Sequence, residues 1–450
     1  MTHDVVNYDG GLTTTPQQLI YPKTVEDIQN VLRDADRFPG PVRAMGSYHS
    51  LTPCVSTKGT IVNMSHMNRI LGIDLATMTL AAQSGLQIYD AATTLRRLNL
   101  QLITNVEIGN MTLGAAACCQ SKDGLDGGEV NAHVTRIKWV SPSGELAEAS
   151  ETGLPELLRL VRSSYGLCGV VYEVTFRIKP LEAIHFTYIP RRVDELTQGE
   201  VDAIIDSADG LVCWTVGKTA NFQVRSHAVR AGALGTVAAA IRRRLWNHTE
   251  AHAGRLIDLY APKSLHDPLQ NAWFFGSQTV FSTLRLFGGF TLDNPDKIVD
   301  YRSTPPSCKY AFTFWAFPRA QWLSTLKEYL TFADQHFNKY GFRCNMALGS
   351  YFIRQHRSSL LSYAYDGDVF SIDPIHAFTD RPAWDHFLQE FNAFAYERGG
   401  IPLLNQSPFI EKKHVEKAFG ERWREFSRWV KNQDPTGRMQ NPFFAELLSG

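Results

Sequence analysis

Over its N-terminal part the chain switches repeatedly between two hydrophobic rhythms. In residues 24–33 the apolar positions Val25, Ile28, Val31 and Leu32 fall three or four apart, the period of one helix face. Thr24 stands ahead of them as an N-cap, with Asp27 three residues on. Short apolar runs at 41–45, 60–64 and 79–83 read as strands. Residues 89–98 return to helical spacing, and 134–140 alternate before the turn residues Ser141-Pro142-Ser143-Gly144. A helix over 155–162 and a strand over 169–178 follow. The texture changes near His185: aromatics become dense (Trp315, Phe317, Tyr351, Phe352) and a long helical period runs over 321–337. From Gly399 the chain is polar and helical, with a Pro-Thr-Gly turn at 435–437. The pattern predicts an α+β protein in three segments, 1–185, 186–395 and 396–450, since 450 residues exceed one compact core.

Composition narrows the function classes. Lys plus Arg and Asp plus Glu both number 45, so nothing global favours nucleic acid or an anionic membrane. The most apolar run, residues 228–241, is shorter than the roughly 20 residues a bilayer span needs, and it ends in Arg242-Arg243-Arg244. Met1-Thr2-His3-Asp4 has no basic and apolar leader pattern. The seven cysteines are irregularly spaced without a CxxC, against a disulfide framework or zinc site, and a reducing cytoplasm is expected. No His/Asp/Glu cluster has metal-ligand spacing, so no metal is expected.

Three stretches carry candidate chemistry. Gly46-Ser47-Tyr48-His49-Ser50, after the strand ending Ala44-Met45, offers backbone N–H groups in a tight loop suited to a pyrophosphate. Alone, its histidine reads more readily as a plain surface or capping residue. Residues 107–119 form a run of small side chains around Gly109, Thr112, Leu113, Gly114, Ala117 and Cys118, fit for close approach to a flat ligand or for tight helix–sheet packing. In residues 163–176, Gly166 and Gly169 frame a turn into a β-branched strand that starts at Val170 and Val171.

In this order the three stretches resemble the vanillyl-alcohol-oxidase superfamily of FAD enzymes, nearest its sugar-lactone and alditol oxidase branch. Residues 21–28, the Ser143-Gly144-Glu145 turn and the ending at 433–443 add to the likeness. The resemblance is strong over about 1–180, thin over 190–395 and clear again near 430–445. It implies a PCMH-type two-subdomain FAD-binding domain, a cap domain with an antiparallel sheet, and a C-terminal segment returning to the flavin domain. It implies FAD contacts from Ala44 to Ser50, from the small-residue run, from Gly169 to Val171, and from Asn405. In relatives the histidine matching His49 is often bonded to the flavin, and some add a cysteinyl link; Cys118 and Cys119 lie a few residues beyond that cysteine's place.

The branch commonly carries a lysine near flavin N1, where Leu403-Leu404-Asn405-Gln406 here presents Gln406, which carries no charge. Arg354 and Arg357 are candidate substitutes for that cation, and His376 a candidate base. The branch's Thr-Gly-Thr-His-Gly reads here Cys118-Cys119-Gln120-Ser121-Lys122-Asp123-Gly124, where Lys122 could meet a phosphate or substrate or simply be exposed. The resemblance implies hydride transfer from a small alcohol, polyol or lactone to flavin N5. Ala115 to Ala117 are small enough to admit O2 as acceptor, with H2O2 as product. Two alternatives stay open: oxidation of a non-sugar metabolite or amine, which the aromatic cap favours, and a non-turnover flavin-binding redox partner.

Overall fold

The computed structural model describes residues 4–449 apart from 124, 126, 127, 230, 232–234, 284–290, 378 and 379. The helix read from the first apolar stripe forms as Val25–Arg33. Thr24 Oγ1 accepts the Asp27 N–H at 3.1 Å, and the Asp27 carboxylate accepts the Lys23 and Thr24 N–H groups at 2.8 and 3.0 Å. Ile28, Val31 and Leu32 are buried with Val42, Val62 and Met439. They cover a three-stranded parallel sheet ordered Gln18–Ile20, Thr60–Asn63, Val42–Met45.

A second, antiparallel sheet runs Leu146–Ser150, Val134–Val140, Val170–Pro180, Thr79–Gln83, Ile70–Asp74, with Leu100–Leu102 paired to the end of the long strand. Helices Ile88–Arg97, Leu113–Cys118 and Pro155–Val161 pack into its core through Ile88, Leu95, Leu113, Ala116, Ala117, Leu158 and Val161. The buried Arg43 ties this part of the fold together. It donates to the carbonyls of Cys54, Met439 and Tyr165 at 2.9, 2.8 and 2.5 Å.

The cap is an eight-stranded antiparallel sheet ordered Thr291–Asp293, Ala183–Arg192, Thr219–Ala228, Gly210–Val216, Leu348–Ile353, Val369–Ile372, Trp315–Pro318, Ile401–Pro402. The long period near 321–337 extends to Arg319–Tyr340, and its Trp322 stacks on Phe370 of the sheet at 4.1 Å. Helix Arg381–Glu397 packs beside it through Phe387, Phe391 and Phe394. After two further helices the chain returns to the parallel-sheet subdomain. Arg438 donates to the carbonyls of Val31, Leu32 and Phe38, and Asn441 to those of Pro53 and Ser56.

The apolar run 228–241 is the end of one cap strand and part of helix Gly235–Leu245, with residues 230 and 232–234 outside the described ones. Among the described residues no helix is long and apolar enough to cross a membrane.

Buried ion pairs join the cap to the N-terminal domain. Arg225, fully buried on a cap strand, reaches Glu107 at 2.8 Å and Asp123 at 2.7 Å. Lys297 pairs with the other oxygen of Asp123, and Arg242 adds a 3.5 Å contact to Glu107. Arg96 holds Asp293 and Asp296 at 2.6 and 2.5 Å. Buried charges of this kind hold only as a set, because removing one partner strands the others in low dielectric. Asp123→Ala leaves Arg225 and Lys297 facing each other and is expected to cost about 3–5 kcal/mol in urea unfolding. A loss under about 1 kcal/mol would show that the clamp contributes little to the fold.

Candidate active site

Strand Val42–Met45 ends where Gly46 begins a turn into a groove between the parallel and antiparallel sheets. The groove walls approach closely there: a Cβ on Gly46 would stand 2.4 Å from Thr112 Oγ1. Thr112 caps helix Leu113–Cys118, its hydroxyl accepting the Ala115 N–H. On the far wall Gly169 has φ +129, and a Cβ there would lie 2.0 Å from the Val140 carbonyl oxygen, so only glycine fits the start of that strand.

The groove is lined by residues 44–50, Thr112, Gly114, Cys118, Gly169, Val171 and Asn405, all expected from the sequence, and by Gln406. Four expected contacts are not brought in. Leu113, Ala117 and Val170 turn into the hydrophobic cores, because a helix or strand presents alternate positions to opposite sides. Gly109 instead packs its backbone on Val299, donating to that carbonyl at 2.9 Å. The groove also uses Arg43, Cys54, Val55, Met64, Ser84, Ile108, Met111, Ala115, Cys119 and Tyr165, which sequence reasoning did not single out as cofactor contacts. Ala115 and Cys119 belonged to the small-residue run; Met64 and Ser84 gave no such signal, since they reach the groove only through the packing of separate strands.

The groove has the chemistry of a site for a hydrogen-bonding ligand. His49 Nε2, Ser84 Oγ, Asn405 Oδ1 and Gln406 Oε1 all line it, buried and without a partner. Native proteins rarely leave such atoms unsatisfied. The His49 ring stacks on Tyr8 at 4.1 Å and meets the edge of Tyr301 at 5.8 Å. Burial pushes the His49 pKa down to about 3, against a hydrogen bond to Asn110, so the imidazole is neutral at ordinary pH. Burial raises the Cys118 and Cys119 thiols, which stay protonated and unreactive.

At one end of the groove Ile108, Met111 and Gln406 also line a second cavity of about 60 Å³ beneath the cap. Its walls include Trp214, Trp246, Tyr310, Phe312 and Tyr351, and its polar groups include Glu107, Ser121, Lys122 and Asp373. Lys122 Nζ lies 2.5 Å from Asp373 Oδ2, with its charge over the rings of Phe312, Phe314 and Tyr351 at 4.3, 5.1 and 5.1 Å. The Trp246 indole donates to the Tyr301 and Tyr310 hydroxyls at 3.1 and 3.2 Å.

Of the three catalytic candidates, Gln406 stands at the junction of groove and cavity. Arg354 does not: it is exposed and donates to the Ala208 carbonyl at 2.9 Å. Arg357 is likewise exposed, against Tyr365. The lysine on the cavity side is Lys122, buried rather than exposed. His376 is fully buried beside Trp384 and Phe342, at ring distances of 5.4 and 4.8 Å, while its neighbour Ile375 lines the cavity. Adjacent strand residues point to opposite faces, which takes His376 out of reach. A larger cleft of about 510 Å³, bordered by Asp194, Lys327 and Arg343 of the cap, shares no residue with either space. Among the described residues no group of side chains could hold a metal ion.

These features define a buried groove between two sheets that meets a small cavity beneath the cap. Residues 16–150 match the sequence family described as FAD binding domain. Over 210 residues it is 24% identical to L-gulonolactone oxidase of Scyliorhinus torazame, covering 46% of this chain and 48% of that protein. Over 205 residues it is 27% identical to L-gulono-1,4-lactone dehydrogenase of Mycobacterium tuberculosis, covering 45% and 47%. The matches thus span about half the length of those relatives. In fold, the whole chain superposes on cholesterol oxidase from B. sterolicum with a TM-score of 0.74 at 13% identity, covering 100% of this chain and 97% of that one.

His376 supplies a test of the packing that excludes it from the cavity. Burial pushes its pKa from 6.5 down to about 3. Between those values the unfolded state binds the extra proton, so stability rises with pH there and is lost as pH falls from 6.5 towards 3. His376→Phe is expected to flatten the fall by about 1.4 kcal/mol per pH unit in urea titrations across that window. Equal slopes for both proteins would mean that the histidine is solvated.

Proposed function

We propose that the groove holds FAD and that the cavity beneath the cap holds a small CH–OH substrate, which the protein oxidises. The observation that carries this reading is the shared wall of Ile108, Met111 and Gln406, where a substrate in one space meets a cofactor in the other. The flavin, when bound, supplies the two-electron acceptor for hydride transfer. The chain's own residues do the rest. The turn at Gly46–Ser50 brings backbone to the groove, helix Leu113–Cys118 lines it with Gly114 and Ala115, and Ser84 and Asn405 offer unsatisfied polar atoms. Gln406 donates its amide at the junction, and the aromatic walls exclude water from the reacting carbon.

His49, neutral and stacked on Tyr8, is proposed as the point of covalent attachment to the flavin. Ala115 lines the groove with a methyl group only, which leaves room for O2 as electron acceptor and H2O2 as product. The seven cysteines, all free, suit a reducing compartment such as the cytoplasm. Sugar lactones, the class named for the relatives, are the first substrates to try. Neutral non-sugar alcohols come next, because the cavity walls are aromatic.

Two measurements test the reading. After acid precipitation the pellet is expected to stay yellow, with an FAD-mass adduct on the His49 peptide, and His49→Ala to release its flavin into the supernatant. A wild-type supernatant that carries the colour would remove the covalent bond. A panel of lactones and alcohols, scored by anaerobic bleaching of the flavin and by peroxide release in air, is expected to contain a reductant. A flavin that none of them bleaches would contradict the oxidation.

A further inference from the structure

We propose that Asp373, held by Lys122, takes the hydroxyl proton of the substrate, and that this substrate is a compact neutral alcohol rather than an acid. The proposal rests on the reading above and adds the proton acceptor and the substrate's charge class.

The placement is rigid. Asp373 follows cap strand Val369–Ile372, and its backbone exchanges hydrogen bonds with Gly349 at 2.8 and 3.1 Å. Lys122 comes from the N-terminal domain, and its ammonium occupies Asp373 Oδ2. Asp373 lines the cavity, and its buried Oδ1 has no donor within hydrogen-bond distance, although the Ser371 hydroxyl stands near the carboxyl. A buried carboxylate oxygen without a donor is costly, and an alcohol O–H supplies the missing one.

The other lining groups cannot play this part. Glu107 is pushed up by burial but more strongly down by Arg225 and Arg242, and its Oε1 contacts both, so it is a poor base. Burial raises the hydroxyls of Tyr301, Tyr310 and Tyr351, which remain protonated. Gln406 is an amide and cannot accept the proton.

The same arrangement sets the substrate's charge. Among the described lining residues the one cation, Lys122, is already neutralised by Asp373, and the Glu107 carboxylate is held by Arg225 and Arg242. A carboxylate substrate finds no free partner. A neutral skeleton packs between Trp214, Trp246 and Phe312, in a space of about 60 Å³. In the reaction the O–H bond breaks and its proton passes to Oδ1. The carbonyl forms as the C–H bond breaks, its electron pair leaving as hydride to the flavin. With O2 as the final acceptor the electron pair would leave as H2O2, which takes up the proton carried with the hydride and a second one equivalent to that released by Asp373.

The groups facing Asp373 are Lys122 from the N-terminal domain and Tyr351, Tyr363 and Ser371 from the cap. Burial lifts the carboxyl to about 6 against the pull of Lys122, so it is ionised and able to accept above that pH. Flavin reduction is expected to rise with pH through about 6 and then level off.

The test uses the flavin-loaded protein and two readouts. In anaerobic rapid mixing with a panel alcohol that bleaches the wild type, Asp373→Asn is expected to slow reduction about a hundred- to ten-thousand-fold and to lose the rise near pH 6, with Asp373→Glu restoring part of both. Titration with sulfite, a small anion that bleaches flavin reversibly, reads the charge beside the ring without any substrate. Asp373→Asn uncovers Lys122 and is expected to tighten sulfite about tenfold or more, while Lys122→Met weakens it. A substrate that reduces wild type and Asp373→Asn alike overturns the role of Asp373 alone, as does sulfite affinity unmoved in both variants. Failure of every alcohol to reduce a protein that binds sulfite normally overturns the oxidation reading, and the proposal with it.

Discussion

The buried ion pairs between Glu107, Asp123, Arg225 and Lys297 are the constraint on which the rest of the molecule depends. Two carboxylates from the N-terminal domain face two cations from the cap, and neither side can be desolvated without the other. They close the cap at one distance and one orientation. The cavity exists because of that closure, since Lys122 and Glu107 come from one domain and Trp214, Tyr351 and Asp373 from the other. Arg96, pairing with Asp293 and Asp296, repeats the device at the cap's edge.

Within the N-terminal domain the governing requirement is space. A methyl group on Gly46 would collide with Thr112 across the groove and one on Gly169 with the neighbouring strand at Val140, and the helix that starts at Thr112 presents Gly114 and Ala115 to the groove. Small side chains leave backbone N–H groups and a few unsatisfied polar atoms facing a narrow cleft, an arrangement suited to a long flat cofactor with a pyrophosphate. Gln406, without charge, marks where that cleft gives way to the cavity beneath the cap.

Local signals read well from the sequence because the physics that produces them is local. The Thr24–Asp27 capping box, the Val134–Val140 alternation and the glycine turns need only near neighbours. The His49 loop was legible for the same reason, and Gln406 through its spacing from the chain's ending. Facing was harder: Leu113, Ala117 and Val170 sit in the right segments but turn to the core, and His376 points away while Ile375 points in. Lys122 and Asp373 are 251 residues apart, and only the docking of the cap unites them. Arg354 looked like a substitute cation because charge is visible in a sequence and direction is not; it lies on the outer surface.

The most direct test of the central claim is a crystal structure of the flavin-loaded protein. The account predicts the ring system in the groove beside His49, with its reactive edge at Met111 and Gln406 opening onto the cavity that holds Asp373. A flavin bound elsewhere, or one whose reactive edge is walled off from that cavity, would contradict it.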